Sequence, residues 1–170
     1  MTGSPTNILF VCSGNICRSP AAAALARLWL DARGLGEVRT ASCGTLRIVG
    51  EPAAPFTMQA LAARGADLSG HRSRPMSYFL LREADLVVGM EPAHRDLALL
   101  ELGGDADLVG CGVHVVTEWH PEERHRDDAG IYDFVSKDWD EYREGVEELE
   151  RCVHGMLEEY FPHAGGSVAP

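Results

Sequence analysis

No stretch of this chain approaches the roughly 18 consecutive apolar residues that a membrane-spanning helix requires. The opening MTGSPTN has neither the basic region nor the apolar core of a secretory leader. Cysteine is sparse: Cys12, Cys17, Cys43, Cys111 and Cys152 form an odd set with no framework spacing. That excludes a disulfide scaffold and suits a reduced, cytoplasmic setting. Basic charge is scarce too, with 15 Lys+Arg against 26 Asp+Glu and a net charge of −11. The deficit is concentrated at the end, where residues 118–170 hold 15 of those acids and 5 of the bases. An acidic final third of this kind argues against nucleic acid and against an anionic membrane as partners. There is no internal repeat and no low-complexity stretch. His114, His120 and His125 match no common zinc spacing, so neither a metal nor a cofactor is expected.

What is present is an alternation of strand and helix patterns. NILFV (7–11) is a short apolar run bounded by turn residues and predicts a buried strand. Ser19 and Pro20 then open a helix in cap-then-proline order that continues to about residue 33. VRTAS (38–42) predicts a second strand, and 57–66 a helix closed by Gly65. ADLVVGM (84–90) predicts a third strand, 91–102 the helix after it, and GVHVV (112–116) a fourth strand. The last helix spans about 138 to 161, with Trp139, Tyr142, Val146, Leu149, Val153, Met156, Leu157 and Tyr160 at three- and four-residue steps toward the sheet. The pattern implies an α/β fold: one three-layer domain over 1–162, a four-stranded parallel sheet with helices on both faces, and a disordered tail at 163–170. Ligands of such sheets bind beyond the carboxyl ends of the strands, where VCSGNICRSP (11–20) falls.

Cys12 and Arg18 enclose five residues in that turn. A loop of this size entering a helix N-terminus aims backbone N–H groups inward and forms a nest for an anion. Arg18 adds a planar fork that matches two oxygens of a phosphate. The phosphate-binding residues are thus Ser13, Gly14, Asn15, Ile16, Cys17, Arg18 and Ser19. Thiols beside cations and helix N-termini ionise readily, so Cys12 is expected as a thiolate aimed at phosphorus, with Ser19 donating its hydroxyl to the sulfur. Gly14 and Asn15 are residue types that tolerate left-handed backbone. Cys43, Cys111 and Cys152 are expected as core thiols.

The run C-x-G-N-I-C-R-S-P between a strand and a helix closely resembles the signature of the low-molecular-weight protein tyrosine phosphatase family. The likeness extends over most of the chain: SCGT (42–45), GEP (50–52) and ADLVVGMEPAHR (84–95) resemble further family stretches. The resemblance implies a phosphomonoester hydrolase, a protein-tyrosine phosphatase, acting through a cysteinyl-phosphate on Cys12. Arg18 and the amides of residues 13–18 would hold the transition state, and an aspartate would be general acid and then base. It also implies a phosphotyrosine protein or aryl phosphate as substrate and inorganic phosphate as product or inhibitor. Cys17 is either a buried packing residue or the partner of Cys12 in a protective disulfide. Ser42 is expected to support the loop by hydrogen bonding, and His71 with Arg72 and Arg74 to form a surface loop that tethers it.

The family's acid lies in an Asp-Pro dipeptide about nine residues before a helix-borne tyrosine, and this chain has no Asp-Pro. Counting back from Tyr142 gives Asp133, with Phe134 at the proline position; Asp127 and Asp128 are the rivals. Ile16 suits a flat aromatic ring, where members of the family that look phosphoarginine-specific carry threonine. Leu46, Ile48, Tyr132 and Phe134 are the expected pocket rim. Two other functions share the loop. A thiol-dependent arsenate reductase would need a further close cysteine pair, and none lies between Cys43 and Cys111. A phosphate-binding module with little turnover would follow from the lack of a working acid.

Overall fold

The computed structural model describes residues 3–122 and 130–164. The described chain alternates strand and helix as the periodicity predicts: β1 (Asn7–Cys12), α1 (Arg18–Asp31), β2 (Arg39–Gly44), α2 (Pro55–Ala62), α3 (Tyr78–Glu83), β3 (Leu86–Gly89), α4 (Pro92–Leu102), β4 (Val113–Val115) and α5 (Trp139–Tyr160). The four strands form one sheet in the order β2-β1-β3-β4, every pair parallel. Parallel strands need crossovers, and the helices that supply them cover both faces. Side chains of β1 alternate accordingly. Ile8 and Phe10 pack with Leu25 and Trp29 of α1 and with Val146, Leu149, Val153 and Met156 of α5. Leu9 and Val11 pack on the opposite face with Leu81 of α3 and with Ala98 and Leu102 of α4. Because β1 has β2 on one side and β3 on the other, the chain reverses its winding direction at β1–β3. The carboxyl ends of those two strands therefore frame a crevice.

Local departures from the predicted elements have physical causes. Helix α1 starts at Arg18, with Cys17 at its N-cap and no side-chain cap bond. Ser19 is not the cap: its hydroxyl turns to the Cys12 sulfur instead. Helix α2 covers residues Pro55–Ala62, and Gly65 (φ 89°) closes it, with Ala66 N–H on Leu61 O at 2.9 Å. Strand β2 runs on to Gly44, whose N–H donates to Arg74 O and whose carbonyl accepts from Met76 N–H. Helix α3 was not predicted; Ser77 caps it by accepting from Leu80 N–H. Cys43 and Cys152 are buried as expected and Cys111 is half-buried. Residues 165–170, most of the expected tail, lie outside the described residues. Among the described residues no helix is long and apolar enough to cross a membrane.

Candidate active site

The loop from Cys12 to Arg18 crosses the carboxyl end of β1. Its carbonyls are tied to the surroundings: Cys12 O accepts from Thr45 N–H (2.9 Å), Ser13 O from Leu46 N–H (2.9 Å), Ile16 O from Ala54 N–H (2.8 Å). Asn15 O accepts from His71 Nε2 (2.7 Å). In a planar trans peptide the C=O and the following N–H point opposite ways. The amides of Ser13, Gly14, Ile16 and Cys17 are thereby turned to the concave side. With the N-terminus of α1 beside them they make a backbone anion cradle.

Asn15 is the pin of the loop. Among the described residues it alone has a positive φ without being glycine, at 57°. Its buried side chain donates to Ser42 Oγ (2.8 Å) and Ser19 Oγ (3.0 Å) and accepts from Arg74 N–H (2.9 Å). Ser42, His71 and Arg74 are thus brought onto the loop, the last also holding Ser42 O through Nε at 3.0 Å. Gly44 passes so close that a Cβ there would lie 2.6 Å from Ser13 O. Gly14, by contrast, does not adopt the left-handed backbone expected of it.

Within the cradle, Cys12 Sγ accepts from Asn15 N–H (3.2 Å) and lies 3.0 Å from Ser19 Oγ. Arg18 is 2% exposed. Its Nη1 donates to Ile131 O (2.9 Å) and stands 3.5 Å from Glu91 Oε1, and its Nη2 is 3.6 Å from Asp133 Oδ2. Asp133 is half-exposed and its Oδ1 accepts from Val135 N–H at 3.1 Å. Asp127, Asp128 and His125 lie outside the described residues.

The expected rim divides. Leu46 and Tyr132 are exposed, and Ile48 is half-buried. Ile48 and Ile16 converge beside Gly14: a Cβ on that glycine would sit 3.6 Å from one and 3.5 Å from the other. Phe134 is not on the rim. It is 0% exposed, its ring 4.6 Å from that of Tyr142 in an edge contact and directly over Gly145. An aromatic flanking a loop aspartate is in this case an anchor that seats the loop on α5.

Beneath the loop, burial raises the Cys17 thiol above its ordinary range, with the Tyr142 hydroxyl opposing, and pushes the Cys43 thiol up to about 12. Tyr142 shares a hydrogen bond with Thr57 there. Sequence reasoning passed over Glu91 and His94, which follow β3 directly. The signal was their place in the ADLVVGMEPAHR stretch at the carboxyl end of the strand beside β1. No group of His, Cys, Asp or Glu among the described residues is arranged to hold a metal.

An α/β sheet whose winding reverses at a cysteine held in a ring of inward amides, with an arginine closing the ring, defines the class of cysteine-dependent phosphoryl-transfer proteins. Comparison agrees: the chain belongs to the low molecular weight phosphotyrosine protein phosphatase family, whose model matches residues 7–161. It is 29% identical over 153 residues to the protein-arginine-phosphatase of Bacillus subtilis, covering 90% of this chain and 95% of that one. It is 40% identical over 88 residues to the probable low molecular weight protein-tyrosine-phosphatase EpsP of Ralstonia nicotianae and to the low molecular weight protein-tyrosine-phosphatase Wzb of Escherichia coli K12. Those matches cover 52% of this chain and only 57% and 56% of the two relatives. Among solved structures it superimposes on the YwlE arginine phosphatase, a cysteine-to-serine mutant with a phosphorylated active-site serine (TM-score 0.78, 27% identity, 90% of this chain and 94% of that one). It also superimposes on the tyrosine phosphatase amsI of Erwinia amylovora (TM-score 0.76, 25% identity, 91% and 93% covered).

Proposed function

We propose that this protein hydrolyses phosphotyrosine in proteins, and aryl phosphates generally, through a cysteinyl-phosphate on Cys12. The observation that carries the reading is the set of outward-tied carbonyls, which leaves a ring of amides around the sulfur with Arg18 at its edge. Donors fixed before substrate arrives stabilise the equatorial oxygens at no reorganisation cost. The Cys12 thiolate attacks phosphorus, the P–O bond to the phenol breaks, and Asp133 gives its proton to the departing oxygen. Asp133 then takes a proton from water as the water attacks phosphorus. The S–P bond breaks, Ser19 donates to the returning sulfur, and inorganic phosphate leaves, able in turn to inhibit. The 3.6 Å approach of Asp133 to Arg18 supports this assignment of the acid. Burial of Cys17 and its raised thiol support a packing role there over a redox one.

Ile16 and Ile48, which converge beside Gly14, support an aromatic substrate: together they offer an apolar wall against which a phenyl ring stacks. The second reading, phosphoarginine, is favoured by the likeness to the Bacillus subtilis protein-arginine-phosphatase over 90% of this chain. Steady-state kinetics on one peptide carrying either phosphotyrosine or phosphoarginine decides between them. We expect the higher kcat/KM for phosphotyrosine, with Cys12→Ser inactive on both; the reverse order of substrates overturns the assignment.

A further inference from the structure

His94, in the first turn of α4, is 2% exposed, and the mechanism above leaves it without a task. Its Nε2 lies 2.9 Å from Ser13 Oγ, the side chain that follows the nucleophile, and 3.3 Å from Glu91 Oε1. That same carboxylate oxygen is 3.5 Å from Arg18 Nη1. The other ring nitrogen, Nδ1, is buried with no hydrogen-bond partner among the described residues. The first turn of α4 sits tight against the end of β3 here: a Cβ on Gly89 would stand 3.0 Å from His94 Cβ and 2.9 Å from Arg95 N.

These contacts choose a tautomer. A proton on Nδ1 would be an orphaned buried donor, a rare and costly state. It would also set the bare Nε2 lone pair against a carboxylate oxygen. A proton on Nε2 removes both faults, since Nε2–H then has Ser13 Oγ and Glu91 Oε1 in front of it. Titration fits the same picture. The charged groups facing the ring are Glu91 on its own helix, Arg18 from α1 and Asp133 from the loop before α5. Burial and the Arg18 charge outweigh the two carboxylates and push His94 down to about 4, so the ring is neutral wherever the enzyme works near neutral pH.

We propose that His94, as the Nε2–H tautomer, is a positioning residue that holds Ser13 and Glu91 together and so sets the phosphate loop and Arg18 for the phosphoryl group. Ser13 is then clamped from two elements, its carbonyl by Leu46 N–H and its side chain by His94, which immobilises the peptide that carries the Gly14 amide. Glu91 is shared, and without its second partner it is free to close on Arg18 and compete with phosphate for the guanidinium.

The proposal rests on the phosphatase reading only through the phosphate site, so orthophosphate binding by calorimetry is its primary test. His94→Leu and Ser13→Ala are each expected to weaken orthophosphate about tenfold, the worth of one hydrogen bond near a charge. Each raises KM for p-nitrophenyl phosphate more than it lowers kcat. The double variant is expected to be no worse than His94→Leu alone, since that change already cuts the link to Ser13. His94→Gln, which keeps an N–H near the Nε2 place, restores most of the affinity. Additive losses overturn the proposal, as does a folded His94→Leu that loses thermal stability but binds orthophosphate like wild type. If His94→Leu fails to fold, undiminished binding in Ser13→Ala overturns it alone. A wild-type protein that binds orthophosphate but turns over no phosphomonoester removes the proposed function and leaves this proposal standing; one that binds none removes both.

Discussion

Ser19 Oγ lies 3.0 Å from Cys12 Sγ and 3.2 Å from Cys43 O, while Asn15 Nδ2 donates into it from 3.0 Å. The hydroxyl has one proton and two acceptors, and Asn15 fixes the oxygen so that the proton swings between them. As charge grows on the sulfur, the charge-assisted bond is the stronger of the two. Ser19→Ala should therefore impair the step in which sulfur leaves phosphorus. We expect steady turnover about tenfold to a hundredfold slower and a rise in trapped phosphoenzyme after acid quench. Slower turnover with no gain in phosphoenzyme would place the role of Ser19 elsewhere.

Asp133 is predicted to matter in proportion to the basicity of the leaving group. Removing a general acid costs roughly 10²–10⁴-fold, so Asp133→Asn should lose most on phenols of high pKa and least on p-nitrophenol. A series of aryl phosphates measures the slope. A flat difference between wild type and variant would remove Asp133 from this role.

Asn15 carries the loop's left-handed turn and satisfies Ser42, Ser19 and Arg74 at once. Asn15→Ala meets both a backbone penalty and unpaired buried groups, about 2–4 kcal/mol together. Urea unfolding at neutral pH should show this loss. Asn15→Gly should recover only the backbone share, because the glycine accepts the turn but makes none of the bonds.

Far from the loop, His114 sits between Glu118 Oε2 (2.7 Å) and Cys111 O (2.9 Å). The hydrogen bond to Glu118 is the main cause that raises its pKa, with burial opposing. A group raised on folding stabilises fully below its unfolded pKa of about 6.5 and loses that contribution as pH climbs through the folded value. Glu118, lowered by the same bond against the opposing pull of burial, adds stability above its unfolded value and loses it as pH falls through the folded one. Between pH 6 and 9 the wild type should lose stability that His114→Gln does not, by under about 1 kcal/mol because both groups are partly exposed. Chemical denaturation at several pH values checks the difference.

How far a sequence reading reaches is plain from where it stopped. β1, β3 and α5 were legible because burial imposes a period on their residues, and the C-x5-R turn because anion capture restricts residue type at each place. Counting from Tyr142 leads to Asp133, which the fold sets 3.6 Å from Arg18, because that count runs along one loop and one helix. Glu91 and His94 stand in the ADLVVGMEPAHR stretch, but what they touch was not legible there. Their partners, Arg18 and Ser13, are 73 and 81 residues away in the chain and meet them only after β3 has paired with β1. Phe134 was misread for a related reason: loops carry no period, so nothing local tells an aromatic that lines a cleft from one that plugs into α5. Ser19 was taken for a cap because its type fits one, and only the fold reveals that its hydroxyl has a more demanding neighbour.

The ring of inward-facing amides is written in main chain, which every residue type possesses alike. The side chain at 16 is thereby released from gripping the anion, and is at liberty to describe what it is attached to. Altering that one side chain changes the surface the substrate meets, while the amides that hold the anion stay as they were.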